Sequence, residues 1–177
     1  MPGARSPSIP LSTLPAMLDL HAAQPDVLVL VGTQTGNSEV VADAIADALG
    51  GLGFAVHLLD MAEAYPEMLE DYHQLIAVTC TWSDGTFPDN AVDFVESLEA
   101  VAPDLSGLRF GVCGLGDRDY DPYYQTAAER LVALLSGAGA TEAEPLHDID
   151  GGPTEADVAG AVAWAVRCAE AFAQAPS

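Results

Sequence analysis

Val27-Leu28-Val29-Leu30-Val31-Gly32-Thr33-Gln34-Thr35-Gly36-Asn37-Ser38-Glu39 is the stretch that decides the fold. Its opening aliphatic run has no polar alternation, which describes a strand buried on both faces, as in a parallel sheet covered by helices. Val40, Val41, Ala44, Ile45, Ala48 and Leu49 then recur at helical spacing, and Gly50-Gly51 stops the helix. The loop between them ends at a helix N-terminus, where unpaired N–H groups and the helix dipole attract an anion. Thr33, Thr35, Asn37 and Ser38 add side-chain donors, Gln34 lies among them, and Gly36 is expected to let the backbone approach closely. The Gly-Lys-Ser/Thr ending of a triphosphate-binding loop is absent, and no lysine or arginine stands here. Such a loop suits a single phosphate monoester held by neutral donors. The alternative is a hydroxyl-rich helix cap with no ligand.

Outward from this unit the same alternation continues. Strands are predicted at residues 55–59, around Leu75-Ile76-Ala77-Val78, at 110–115 and, weakly, near 142–146. Helices are predicted at 66–72, 91–101, 124–135 and from Thr154, where Thr154-x-x-Asp157 reads as a capping box, to about Ala173. Asp89 or Asn90 is expected to cap the helix that follows it. The pattern predicts an α/β three-layer sandwich with a five-stranded parallel sheet in the order 2-1-3-4-5. Ligands in such sheets bind beyond the carboxyl ends of the strands, so the loops after strands 1, 3 and 4 matter most.

The second of these loops reads Thr79-Cys80-Thr81-Trp82-Ser83-Asp84-Gly85-Thr86-Phe87-Pro88-Asp89-Asn90-Ala91. Gly85 and Pro88 make it a turn region, and Trp82 either offers a flat face to a flat ligand or folds back on the core. The third reads Gly114-Leu115-Gly116-Asp117-Arg118-Asp119-Tyr120-Asp121-Pro122-Tyr123-Tyr124. Its Gly-x-Gly opening lacks the third glycine of a dinucleotide fingerprint. Tyr120, Tyr123 and Tyr124 supply a second aromatic wall. A phosphate cradle and two aromatic walls around one crevice describe a site for a flat, phosphorylated aromatic molecule.

Composition narrows the partners. Among 177 residues, 27 are acidic and five are arginine, with no lysine, for a formal charge of −22. That field disfavours nucleic acid and anionic membranes and steers the protein toward basic surfaces, unless it serves solubility alone. Cys80, Cys113 and Cys168 form no metal spacing or disulfide framework, and His21, His57, His73 and His147 are scattered, so a reducing, cytoplasmic setting without structural zinc is expected. Residues 1–25 read as an extension, with a short helix around 14–21, and 26–177 as the domain; no export signal or membrane span is expected.

The three loops together resemble those of the flavodoxins and of the FMN modules of diflavin reductases. Thr33-Gln34-Thr35-Gly36-Asn37-Ser38-Glu39 is similar to their phosphate loop. Thr81-Trp82-Ser83-Asp84-Gly85 with Pro88-Asp89-Asn90-Ala91 is similar to their second loop, and Gly114-Leu115-Gly116-Asp117-Arg118-Asp119-Tyr120 to their third. The similarity runs from about Val27 to Ala173 and points to stand-alone MioC-type flavodoxins and the FMN domain of sulfite reductase flavoprotein. The resemblance implies a flavodoxin-like fold and non-covalent FMN, with its phosphate at Thr33 to Ser38. Trp82 would line one ring face and Tyr120 the other, with Tyr123 beside it, Asp117 near the polar edge, and Asp148 or Asp150 approaching. It also implies a monomeric electron carrier between a basic-surfaced reductase and an acceptor protein, with no FAD or NADPH module. The alternative is a flavin-dependent reductase of a small molecule such as a quinone. Ser83 departs from the family, which usually carries glycine at this position. A phosphoacceptor receiver, which shares the strand order, would recruit Asp60 but needs a lysine that this chain lacks.

Overall fold

The computed structural model describes residues 27–173; the extension and its expected helix at 14–21 lie outside the described residues. Strands β1 (Val27–Gly32), β2 (Val56–Asp60), β3 (Gln74–Cys80) and β4 (Arg109–Gly116) alternate with helices α1 (Asn37–Gly51), α2 (Asp89–Val101) and α3 (Thr126–Gly137). Two short strands, β5 (Thr141–Glu142) and β6 (His147–Asp150), precede the last helix, α4 (Glu155–Ala173). All named strand pairs are parallel, in the order β2-β1-β3-β4-β5, with β6 also on β4.

The aliphatic run of β1 is wholly buried because the sheet divides it between two layers. Leu28 and Leu30 join Leu75, Ala77, Phe110 and Val112 under α2 and α3, around Phe94, Leu98 and Leu131. Val27, Val29 and Val31 join Ile76, Val78, Cys113 and Leu115 under α1 and α4, around Ile45, Leu49, Trp164 and Phe172. Side chains two residues apart thus share a face, as pleating requires.

Three details differ from the sequence reading. The fifth sheet position, expected near 142–146, is split: Thr141 and Glu142 pair with Arg109 and Phe110, and His147–Asp150 pair with Cys113–Gly116. Pro145 lies in the gap and has no N–H to give a ladder, while its carbonyl accepts from Trp164 Nε1 at 3.0 Å. The expected helix at 66–72 is a 3₁₀ segment, Pro66–Asp71. Asp89 and Asn90 lie within the first turn of α2 and do not cap it; Pro88 holds the cap position. The capping box forms as expected: Asp157 N–H donates to Thr154 Oγ1 at 3.1 Å and Thr154 N–H to Asp157 Oδ2 at 2.9 Å. Among the described residues no helix is long and apolar enough to cross a membrane.

Candidate functional site

The first loop is shaped by Gly36 at the N-cap of α1. Its φ of 96° lies in the left-handed region, so a side chain there would be strained. A Cβ would nevertheless meet nothing within 4 Å, and Gly36 is no wall of the cleft. Its left-handed conformation makes the turn that starts α1. Gly36 N–H donates to Thr33 Oγ1 at 2.8 Å.

The start of α2 clamps this loop from outside, which is where the side chains of Asp89 and Asn90 go. Thr33 N–H donates to Asn90 Oδ1 at 2.9 Å, and Asn90 Nδ2 donates to Asp60 Oδ1 at 2.9 Å. Asp60 also accepts from Ala62 N–H, so its carboxylate is engaged in structure. Asp89 N–H donates to Gln34 Oε1 at 2.8 Å, and Gln34 Nε2 donates back to Asp89 Oδ2 at 3.3 Å. Ser38 is buried in the first turn of α1, yet its Oγ has no oxygen or nitrogen partner while the residue lines the cleft. A buried unpaired hydroxyl costs about 1–3 kcal/mol, which a ligand oxygen would recover.

The second loop is a tight hairpin. Trp82 N–H donates to Thr86 O at 2.7 Å and Thr86 N–H to Trp82 O at 2.8 Å, leaving Ser83, Asp84 and Gly85 at the tip. Ser83 and Gly85 both have positive φ, 51° and 92°. Ser83 lines the cleft, whereas Asp84 and Gly85 do not. A Cβ on Gly85 would press on Tyr123 and Thr126, so this glycine leaves room for the neighbouring loop. Trp82 is 42% exposed, so it does not fold back on the core. Thr81 fixes the base of the hairpin: its N–H donates to Leu115 O at 2.9 Å, and its Oγ1 accepts from Ala127 N–H at 3.1 Å.

The third loop leaves β4 through Gly116, where a Cβ would fall on the Tyr124 carbonyl. Asp117 caps the 3₁₀ turn Arg118–Tyr120 by accepting from Asp119 N–H at 2.9 Å. Arg118 lies over the Tyr124 ring, 4.1 Å from its centre, and approaches Asp148 and Asp150 at 3.7 and 3.5 Å. The Tyr124 hydroxyl donates to Asp148 Oδ2 at 2.9 Å; burial and then this bond hold its pKa above the usual tyrosine value. Tyr124 is thus committed to the loop, whereas Tyr120 is 63% exposed beside the cleft and Tyr123 is 40% exposed.

The cleft these loops enclose has a volume of about 440 Å³. Of the residues singled out from the sequence it brings together Thr33, Gln34, Thr35, Asn37, Ser38, Thr81, Trp82, Ser83, Leu115, Gly116, Asp117, Tyr120, Tyr123 and Tyr124. Gly36, Asp84 and Gly85 shape the loops from outside the walls. Asp148 and Asp150 lie behind Tyr124 and Arg118 and are not walls. The walls also include Cys80, Gly151 and Gly152. Cys80 was hidden at the end of an apolar strand. The Gly-Gly pair after β6 carried a signal, because it follows a strand at the ligand-binding edge.

The chain matches the Flavodoxin family over residues 29–164. It is 36% identical over 141 residues to the sulfite reductase [NADPH] flavoprotein alpha-component of Shewanella sp. (strain MR-7), covering 79% of this chain and 23% of that protein's length. It is 34% identical over 140 residues to Protein MioC of Escherichia coli (strain K12), covering 73% of this chain and 91% of MioC. In structure it is similar to oxidised Flavodoxin 2 from Bacillus cereus, with a TM-score of 0.75, 31% identity, and 82% of this chain and 98% of that one covered. The oxidised Flavodoxin 1 of the same organism gives a TM-score of 0.75 at 25% identity, with 86% and 99% covered. With a family match that spans most of the described residues and a relative such as MioC aligned over 91% of its length, the chain belongs to the flavodoxin family.

Proposed function

We propose that this cleft is the FMN site and that the chain is a mobile electron carrier between separate proteins, without substrate chemistry of its own. The observation that carries this reading is the donor set. An uncharged cradle containing the orphaned Ser38 hydroxyl stands at a helix N-terminus, with exposed Trp82 and Tyr120 beside it. Neutral donors and a helix dipole suit one phosphate monoester, and the cleft volume lies within the usual range for small-ligand sites, about 300–1,000 Å³. The residues therefore fit FMN.

In this reading the Thr33–Ser38 loop holds the phosphate, and the clamp from Asp89 and Asn90 keeps its donors in place. Trp82 and Tyr120 cover the ring, Tyr123 fills the space beside it, and Asp117 stands at the polar edge. FMN, when bound, supplies the redox chemistry, and the protein supplies position and electrostatics. The acidic surface guides docking to a basic-surfaced reductase and acceptor. The domain spans 26–177, and its setting is cytoplasmic.

The test is a titration of the purified full chain with FMN, FAD and riboflavin, read by flavin fluorescence. Tight, quenching binding of FMN with much weaker binding of the other two is expected. Equal affinity for riboflavin would refute the phosphate cradle. Direct oxidation of NAD(P)H by the loaded protein alone, with a small quinone as acceptor, would refute the carrier role.

A further inference from the structure

Two walls of the cleft, Gly151 and Gly152, belong to the turn after β6, whereas Tyr120 and Tyr123 belong to the loop after β4. Both segments are acidic: Asp117, Asp119 and Asp121 lie in the loop, and Asp148 and Asp150 in β6, so the two repel at neutral pH. Arg118 is the only lysine or arginine in either. Its N–H donates to Asp150 Oδ1 at 3.0 Å, and its side chain brings Nε to 3.5 Å from Asp150 Oδ2. A terminal nitrogen lies 3.7 Å from Asp148 Oδ2, the same oxygen that accepts from the Tyr124 hydroxyl. With the guanidinium over the Tyr124 ring, Arg118, Tyr124 and Asp148 close a triangle. Arg130 and Arg167, by contrast, each meet one carboxylate, Glu99 and Glu144. Arg118 is no wall of the cleft, so whatever it does to a ligand it does through its neighbours.

We propose that Arg118 is a positioning residue for the bound ring: it fastens the tyrosine loop to β6 and thereby holds Tyr120 at the cleft. The inference rests on the FMN reading of the cleft. Tyr120 ends the 3₁₀ turn that Arg118 begins. That turn is one hydrogen-bonded unit, since Asp117 accepts from Asp119 N–H, Tyr120 N–H donates to Asp117 O at 2.9 Å, and Asp121 N–H donates to Arg118 O at 3.1 Å. A single tight turn carries the placement of its first residue to its last. Tyr120 is largely exposed, so little packing of its own fixes it, and the anchoring of the turn decides where its ring stands. Shape matters here as well as charge. A guanidinium can lie on the Tyr124 ring while its fork reaches Asp148 and Asp150, whereas a lysine ammonium is a point charge with no flat face.

The test is a double-mutant cycle on FMN affinity in the full chain, read by flavin fluorescence, with Arg118→Ala, Tyr120→Ala and the two combined. Arg118→Ala should raise the FMN dissociation constant about fivefold, the scale of two exposed ion pairs and one cation–π contact. In the Tyr120→Ala background the same change should shift it less than about twofold, because its route to the ring is gone. Arg118→Lys, which keeps the charge, should recover only part of the loss. An equal effect of Arg118→Ala in both backgrounds would show that the guanidinium acts without Tyr120 and would overturn the proposal. So would an unchanged affinity in folded Arg118→Ala, or full recovery in Arg118→Lys. Should urea unfolding show that Arg118→Ala does not fold, Asp150→Asn takes its place in the cycle under the same criterion. It keeps an acceptor for Arg118 N–H and removes the ion pair from the other side. Failure of Tyr120→Ala alone to weaken binding would overturn the placement of that ring and this inference with it. Failure of FMN to bind the unaltered chain would instead overturn the reading of the cleft.

Discussion

Replacing Tyr120 by alanine isolates one wall of the cleft, and Tyr65 offers a matched control. The two side chains are similarly exposed, 63% and 58%, so neither truncation removes much core packing. Tyr120 lies beside the cleft on the 3₁₀ turn after β4, whereas Tyr65 precedes the Pro66–Asp71 segment and is no part of it. An aromatic side chain presents about 200 Å². With 63% of Tyr120 exposed, covering half of that open area against a flat ring removes roughly 60 Å² from water. At about 25 cal/mol per Å² that contributes about 1.5 kcal/mol, inside the range of about 1–3 kcal/mol for stacking on an aromatic side chain. Tyr120→Ala should therefore raise the FMN dissociation constant about tenfold, since 1.4 kcal/mol is one decade. Tyr65→Ala should leave it unchanged. Fluorescence titration of both variants decides the matter, with urea unfolding to confirm that both fold. Equal affinities in the two variants would refute the placement of Tyr120 against the ring.

The remaining predictions address the frame around that wall. Ser83→Gly relieves about 1–2 kcal/mol of left-handed strain but restores about 0.5–1 kcal/mol of backbone freedom to the unfolded chain, so urea unfolding should show a gain of at most about 1.5 kcal/mol. Because Ser83 already rests at a φ of 51°, redox titration of this variant should overlay the wild type, and a shifted curve would show that the tip moves on reduction. Asn90→Ala should weaken FMN binding without touching it, by freeing Thr33 N–H, and should do so more than Asp93→Ala on the same helix. Thr154→Ala should cost about 0.5–2 kcal/mol of stability through the lost cap. The cap also holds the Asp157 carboxyl below its usual range, so its contribution is present at neutral pH and fades as pH falls through that carboxyl's lowered pKa; acid titration of stability should flatten in Asp157→Asn. Electron exchange with a basic partner should slow steeply between about 0.1 and 1 M salt, as the Debye length falls from about 10 to about 3 Å.

The fold could be read from this sequence because β1, β3 and β4 each carry their own burial signal, whereas β2 at the sheet's end is half-exposed, and a strand buried on both faces admits few topologies. The edge of the sheet was harder. Thr141, Glu142 and His147 are half-exposed or exposed, so they carry no apolar run, and the break falls at Pro145, which has no N–H for the ladder and whose carbonyl accepts from the Trp164 indole. The loops were legible as a set because their residues converge on one edge, but the division of labour within them was not. Glycines illustrate why. Gly36, Gly85 and Gly116 look alike in sequence, yet Gly36 sets a φ, Gly85 sets a φ and also spares Tyr123, and Gly116 spares the Tyr124 backbone. Asp89 and Asn90 stand where helix caps stand, and only the approach of the first loop turns their side chains across to Gln34 and Thr33. Such roles depend on contacts between segments 55 to 57 residues apart. Cys80 belongs to the same class: β3 buries its neighbours, Thr79 fully, but the strand ends one residue later, where the sheet opens onto the cleft. A residue at that boundary has the sequence context of core and the chemistry of a site. The carboxyl ends of parallel strands are therefore where a local reading of burial fails first, and where ligand contacts hidden from it should be sought.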